Sequence, residues 1–563
     1  MAVFARLSVL AVLPLVMLCL ALGSGATEAG TLRGVVLGAD GRPVAAAMVT
    51  LADAKRGIAE SVFTDSGGRF ALVTQLSGML ELRIRKPYRR DVHETVTVPV
   101  TGTTGVRVAM QEMSSAAEIS ESLPALFHFG RISFQPGTPF NRSDFQRDCL
   151  TCHQLGNEFT RKAMPPAAWE AIVKQMHAWL GNFDPGLRVH RAELLAKAFD
   201  GTPLRVRPSF PSDPALRTAK ITEYRLERAV VPHDAEVNPH DGLVYTVDEG
   251  ADQMIITDLG SGQTRYVPEP ADGSPVGGKF GLPLLFNLAV TRGPHSLALG
   301  RDGKYYVTDA FAGAVAVFDP ARERWEPPHD AGAKALYPHT IRVDHDGIAW
   351  FTVAYSDQIG RFDPKSGRID LIAVPARKPL GTAAVTVPYG IDVDPLDGTV
   401  WYARLFADRI GRIDPHTLAI TEFDSPVKGP RRMRFDKHGV LWVAGFSDGE
   451  LARIETSPFK ARVYKLPQFA PGYPPAPYAL AVEPRTQEIW ISEAMTDHIF
   501  RFQPRTGRFI AYPMPLRGTY TRELSFTADG RVCMSNNPVP KITLEGGVLE
   551  LVCIDPAASR TPR

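Results

Sequence analysis

A chain of 563 residues is too long for a single core and is expected to divide into two to four domains. Its 63 basic and 61 acidic residues leave a net charge of +2, which gives no electrostatic footprint for nucleic acid or an anionic membrane surface. Plentiful glycine (48) and proline (47), with short apolar runs between them, favour a turn-rich, mainly β protein.

Residues 1–29 read as a signal peptide. Arg6 precedes an apolar run from Leu7 to Leu22, and Ala26 and Ala29 offer small-residue cleavage positions. The run is short for a membrane span. Cys19 follows Leu18 rather than a small residue, which argues against a lipoprotein signal. No later segment is long and apolar enough to cross a bilayer, so an exported, periplasmic protein is expected.

Residues 30–113 alternate in short runs broken by Asp-Gly, Ser-Gly-Gly and Ser-Gly, the pattern of antiparallel strands and hairpins. The run G-x-V-x4-G-x-P-V, followed by T-D-x2-G-x-F, resembles the carboxypeptidase regulatory-like (prealbumin-type) β-sandwich. That resemblance implies a fold, and a spacer or adhesion role rather than chemistry.

Residues 118–205 read as helical. "PPAAWEAIVKQMHAWLG" sets Trp169, Ile172, Val173, Met176 and Leu180 at helical spacing, with Pro165 and Pro166 at its start and Gly181 at its end. "HRAELLAKAF" is a second short helix, and 206–219 reads as a linker.

The segment before the first of these helices holds Cys149-Leu-Thr-Cys152-His153, the pattern of covalent c-type haem attachment. Two thiols at this spacing can bond both vinyl groups of one haem, and the adjacent imidazole can reach the iron as proximal ligand. A zinc site needs further ligands that no second C-x-x-C supplies. A thioredoxin-like pair wants a βαβ setting, which is absent. One covalent haem c is therefore expected, held by Cys149, Cys152 and His153. Met176 is favoured as distal ligand over Met164, with His177 a further candidate. The region is similar to small class-I-like cytochrome c domains. Met176, in the line W-x6-M, looks like the distal side of haem domains fused to propellers.

Residues 220–556 repeat. Lines such as "LYPHTIRVDHDGIAWFTVA" and "TVPYGIDVDPLDGTVWYAR" recur, most followed by a line such as "DQIGRFDPKSGRI". Their anchor positions are 232, 294, 338, 388, 430, 477 and 521. A period of about 40–50 residues with several strands each indicates propeller blades, here seven. "ITEYRL" (221–226) is expected to supply the outer strand of the last blade and so remove an open edge. Cys533 and Cys553, in neighbouring strands of that blade, are candidate disulfide partners in an oxidising compartment, with two buried thiols as the alternative.

The repeat, with P-H/Y-x-I…D-G-x-x-W-F-T and then I-G-R-x-D-P, resembles the streptogramin (virginiamycin B) lyase propeller family across all seven blades. The P-H/Y position is expected to face a central funnel, giving His233, His295, His339, Tyr389, Arg431, Tyr478 and Arg522. Strand-end positions add Arg404 and Glu493 to that ring. In the lyase family a histidine in this line and a glutamate ending W-F-T-E do acid–base work beside Mg²⁺. Here His339 matches the histidine, but Val353 stands at the glutamate position and cannot transfer a proton. His295, Asp309 and His339 are the expected catalytic group, able to ligate a divalent ion such as Mg²⁺ or Ca²⁺ or to act as a base and its orienting acid.

The expected architecture is therefore a prealbumin-like sandwich, a small helical cytochrome c domain and a seven-bladed propeller. The favoured function is periplasmic redox chemistry on a small-molecule substrate, with a haem that accepts electrons and an electron-carrier protein as partner. A lyase-like C–O bond cleavage with non-standard acid and base residues, or a propeller binding module, are the alternatives. The long segment between the first two blades is expected to cover the funnel or touch the helical region.

Overall fold

The computed structural model describes residues 29–134, 141–179, 184–280, 288–381 and 383–558. The expected signal peptide, apart from Ala29, lies outside the described residues.

The first unit is a two-sheet sandwich of β1 (Gly30–Gly38), β2 (Met48–Asp53), β3 (Ile58–Phe63), β4 (Arg69–Thr74), β5 (Gly78–Arg85), β6 (Val92–Val98) and β7 (Gly102–Met110). One sheet has the order β4-β1-β7, with β1 parallel to β7; the other has β3-β2-β5-β6. Alternation drives the layering: Phe70, Leu72, Leu80, Leu82 and Ile84 face the shared core while their neighbours face solvent.

Five helices follow: α1 (Ala116–Ser122), α2 (Ala125–Phe129), α3 (Arg142–Cys149), α4 (Pro166–Trp179) and α5 (Pro185–Ala198). Side-chain caps define three of the starts. Ser115 accepts from Glu118 N, Asn141 from Asp144 N, and Asp184 from Gly186 N and Leu187 N. Trp169 of α4 packs on Phe199, just past the end of α5, with ring centroids 5.8 Å apart. Gly181, the expected stop for α4, lies outside the described residues. No helix among the described residues is long and apolar enough to cross a membrane.

The 206–219 segment is no free linker. Phe210 packs against Tyr88, Phe127 and Phe469, and Ser209 N donates to Phe469 O at 2.7 Å. This stretch straps the helices to both the sandwich and the propeller.

Six four-stranded sheets and four strands of a larger sheet then form the propeller, their inner strands adjacent around a ring. The inner strands are Pro232–Val237, Pro294–Leu299, Pro338–Val343, Pro388–Val393, Pro430–Phe435, Pro477–Val482 and Thr521–Phe526. The repeat motifs explain themselves in packing. In "DHDGIAW" and "DKHGVLW", Asp344 accepts from Trp350 Nε1 at 2.8 Å and Asp436 from Trp442 Nε1 at 3.1 Å, with both indoles fully buried. In "I-G-R", a Cβ on Gly360 or Gly411 would lie 2.1 Å from the ring of Phe351 or Tyr402, so only glycine fits.

The expected closing strand is β8 (Lys220–Arg225), which pairs with Glu550–Asp555 of the last blade. Its other edge does not end the sheet. β8 pairs with β3 of the sandwich through Ile58↔Tyr224, Ala59↔Glu223, Glu60↔Thr222 and Ser61↔Ile221, making one eight-stranded sheet. Arg85 adds bonds to Pro515 O at 2.6 Å and Glu545 Oε1 at 2.6 Å. The sandwich is thus built into the last blade rather than set off as a spacer.

Candidate functional site

Each inner strand begins at a residue paired with the end of the next strand: Pro232 with Asp248, Pro294 with Asp309, Pro338 with Val353. Directly afterwards the register shifts. The residue carried on this irregularity is the repeated His, Tyr or Arg, and such a bulge re-aims a side chain. It sends His233, His295 and His339 into the central funnel, where their tilted rings pack with centroids 3.7 Å and 4.1 Å apart; Tyr389 continues the row 4.0 Å beyond. All four are buried. Burial holds the imidazoles neutral: it lowers His233 to about 4, and drives His295 and His339 well below their ordinary value.

The acid grouped with His233 and His295 in the funnel is Glu249, not Asp309, while Asp234 holds His233 from behind. One ligand atom each from His233, His295 and Glu249 lie within 4.8 Å of one another. Glu249 Oε1 accepts from Tyr337 Oη at 2.6 Å, and burial pushes the carboxyl up to about 7. Tyr337 itself sits at φ 63°, in the left-handed region that a bulky residue rarely adopts. The same position is Gly293 in the second blade, at φ 69°. Holding tyrosine there aims its hydroxyl at Glu249 and its ring at His295, 5.5 Å away.

Three expected funnel residues lie elsewhere. Asp309 takes up Arg292, with Nε at 3.1 Å and Nη2 at 2.5 Å, in a buried network with Glu269. Arg404 binds Thr386 Oγ1 and Glu422, the latter at 2.6 Å. Glu493 accepts from the backbone N–H groups of Ala476, Met495 and Thr496. Asp248 does the same for Val230, Val231 and Gly250. The carboxylates at the strand-end position, Asp248, Asp309 and Glu493, therefore satisfy buried donors at the blade turns. Glu249 is one residue beyond it.

The remaining expected residues form the opposite wall. Tyr389 Oη and Tyr478 Oη are 2.8 Å apart; Arg431 donates to Tyr389 and Arg522 to Tyr478, each at 2.8 Å. Arg431 lies 3.9 Å over the Tyr478 ring. Burial alone would raise the Tyr478 phenol, but Arg522, Arg431 and Arg432 outweigh it and lower it. The funnel thus combines neutral imidazoles, the Glu249 carboxyl, phenols and the Arg522 guanidinium. Between them is a chamber of about 90 Å³.

The helical region lies across the mouth of this chamber. Tyr520 Oη donates to Leu150 O and, at 3.0 Å, to Thr151 O; Gln154 Nε2 reaches Thr519 O at 2.8 Å; Val539 N donates to Cys152 O at 3.1 Å. These bonds hold the C-x-x-C-H segment on the propeller face. A second cavity, about 410 Å³, opens on its other side. Cys149, Cys152 and His153 border it, as do Met164 and Met176 and the apolar rings of Phe159, Trp169 and Phe280. Its volume is that of a small-molecule or cofactor site, roughly 300–1,000 Å³. Asp148, Thr151, Cys152, Phe311, Tyr337 and Tyr355 line both cavities, so they share one wall.

His153 Nδ1 bonds Gln154 O at 2.7 Å, which fixes the proton on Nδ1 and leaves the Nε2 lone pair for a metal. Cys149 and Cys152 are not joined, and burial pushes their thiols up to about 12 and about 11, the reverse of an activated redox pair. Cys533 and Cys553, directly opposite in the last blade, are joined in a disulfide. From the long segment between the first two blades, Phe280 lines the outer cavity and Leu288 and Val290 line the chamber; residues 281–287 lie outside the described residues.

Comparison with known proteins finds two matching family models: the virginiamycin B lyase family over residues 286–474, and the carboxypeptidase regulatory-like domain over 31–111. No curated protein matches the chain. Among solved structures, virginiamycin B lyase from Staphylococcus aureus is 18% identical with a TM-score of 0.47, over 60% of this chain and 99% of that one. A streptogramin B lyase structure is 18% identical at 0.49, over 61% and 99%. Kuenenia stuttgartiensis hydrazine synthase is 13% identical at 0.44, over 57% and 96%. The chain carries a virginiamycin B lyase-like propeller behind a carboxypeptidase regulatory-like domain.

Proposed function

We propose that this chain is an exported, periplasmic haem c protein that oxidises or reduces a small substrate in the propeller chamber and exchanges electrons with a carrier protein. The observation that carries this reading is the shared wall: Cys152 borders both the cavity that suits a haem and the chamber lined by the histidines. Two thiols and an imidazole with a free Nε2 on one side, and two thioethers among those facing the same apolar space, are the donor set of a c-type haem. Haem bound there supplies one-electron chemistry. The chain's own residues do the rest. Neutral His339 can accept a proton from substrate, Arg522 favours an anionic group in the chamber, and the C-x-x-C-H segment excludes bulk water. The Cys533–Cys553 disulfide supports an oxidising compartment.

The lyase reading is less well supported. Val353 occupies the acid position, and the C-x-x-C-H segment lies where a large cyclic substrate would enter. A binding-module role leaves the buried histidine–glutamate cluster unexplained.

The test is the full chain exported from a host that matures c-type cytochromes. The expected result is haem that survives denaturing electrophoresis, with a reducible spectrum, and that is lost in Cys149→Ala/Cys152→Ala. Intact cysteines without covalent haem would overturn the reading. A substrate screen reading haem reduction then separates dehydrogenase from lyase.

A further inference from the structure

We propose that the propeller chamber is itself a metal centre: His233, His295 and Glu249 hold a first-row transition dication, with His339 beside its open positions. This goes beyond the haem reading and does not depend on it, because none of the three residues belongs to the C-x-x-C-H segment.

Two imidazoles and one carboxylate form the donor set of catalytic zinc and non-haem iron sites, which keep coordination positions free for substrate. The three ligand atoms already lie within 4.8 Å of one another. Around a tetrahedral ion with bonds of about 2.0–2.1 Å the ligand atoms stand roughly 3.3 Å apart, so side-chain rotations of about an ångström or more close the site. The strands deliver these residues for no evident structural purpose. His295 Nδ1 is buried without a hydrogen-bond partner, and the side chain is 2% exposed. An orphaned buried nitrogen costs about 1–3 kcal/mol unless something binds it.

The surroundings prepare the ligands as outer-shell groups do in metal sites. Asp234 accepts from His233 Nδ1 at 3.0 Å, so the Nε2 lone pair is free; Arg432 fixes Asp234 in turn at 2.7 Å. Tyr337 orients Glu249. His339 Nδ1 bonds Thr340 Oγ1 at 2.8 Å, and its ring stands 4.1 Å from His295, placed to ligate or to hold a bound water. The nitrogen-rich set selects imidazole-seeking ions over Mg²⁺ or Ca²⁺, which demand oxygen. The divalent ion expected from the sequence is thereby reassigned in both class and ligands: Asp309 is bound to Arg292, while Glu249 takes its place.

Cobalt(II), added alone to the full exported chain after chelator treatment, is the probe. Elemental analysis separates it from haem iron. The expected result is about one cobalt per chain, not displaced by excess Mg²⁺, with a cobalt-edge X-ray absorption spectrum requiring imidazole nitrogen. His295→Ala and Glu249→Gln are expected to weaken retention at least tenfold to about a hundredfold, while His416→Ala, on the surface, leaves it unchanged. The unmutated protein decides the matter even where a variant fails to fold. No retained cobalt, displacement by Mg²⁺, or a spectrum of oxygen ligands alone would overturn the proposal. Loss of haem with cobalt binding intact would overturn the haem reading and leave this one standing.

Discussion

Arg191 decides what His177 can do. Its Nη1 donates to His177 Nε2 at 2.8 Å, and burial followed by the Arg191 and Arg188 charges lowers that imidazole to about 4. With Nε2 accepting, the ring proton sits on Nδ1, and no lone pair is left for iron. If haem is held as proposed, this leaves the two methionines at the outer cavity as candidates for a second iron ligand beside His153. Met176 lies on α4 beside Val173, held by helix packing, whereas Met164 precedes Pro165 outside any helix. A ligand on a packed helix keeps its geometry better than one on a loop. In a chain that carries the proposed haem, Met176→Ala is therefore expected to lower the reduction potential and abolish the methionine-to-iron charge-transfer band, and Met164→Ala to leave both nearly unchanged. Potentiometric titration with optical spectra checks this; the reverse pattern assigns the role to Met164. The histidines of the funnel were legible because the repeat marks them. Glu249 was not. Its neighbour Asp248 occupies the repeated strand-end position, and only the folded contacts show that Asp248 takes up backbone N–H groups while Glu249 meets the histidines.

At the scale of elements, the last blade is the one assembled from both ends of the propeller. β8 arrives from residue 220 and pairs with Glu550–Asp555, so its pairing closes a loop of more than three hundred residues of chain. Closing a long loop costs entropy that the local hairpin pairs of the other blades do not meet. The cross-strand disulfide lies in this blade, and Cys553 is also the register partner of Thr222 in β8. Cys533→Ala/Cys553→Ala is expected to cost about 3 kcal/mol for the loop enclosed by a sequence separation of 20. Amide exchange is expected to rise first in β8 and in Glu550–Asp555. Exchange rising equally in all seven blades would mean that the disulfide holds nothing particular to this closure. The closing strand itself could be read from "ITEYRL", since a propeller needs one. Its second partner could not. β3 and β8 both look like ordinary alternating strands, and which edges meet depends on packing between segments some 160 residues apart in sequence.

Across the whole molecule, the sandwich, helices and propeller act as one body because charge fixes the sandwich where backbone pairing alone would leave a single edge contact. Glu545, in the last blade's final loop, receives Arg85 at 2.6 Å and Arg83 at 3.4 Å. Burial alone would raise its carboxyl, but Arg85, then Arg83 and Arg517, hold it down at about 2, against an ordinary value near 4.5. A carboxyl lowered in the folded state adds stability above its unfolded value and loses it as pH falls through the folded one. The contribution is thus complete at neutral pH and disappears between about pH 4.5 and about pH 2. The side chain is 32% exposed, so screening reduces its worth to the order of 1–2 kcal/mol. Acid is expected to loosen β3 from β8 before the blades unfold, exposing the outer edge that the sandwich covers. Glu545→Gln is expected to lower the thermal midpoint at pH 7 and to flatten its fall below pH 4.5, while the double variant Arg83→Gln/Arg85→Gln behaves alike. Thermal unfolding from pH 7 to pH 3 checks the slope, and exchange at β3 and β8 checks the place. An unchanged slope in Glu545→Gln would mean that the pairing of Ile58–Ser61 with Ile221–Tyr224 holds the two units together without the ion pairs. In either case the outer cavity depends on that joint. The strap at 206–219 ties the helices to Tyr88 of the sandwich and Phe469 of the propeller together, so a loosened sandwich is expected to loosen the wall that Cys152 provides.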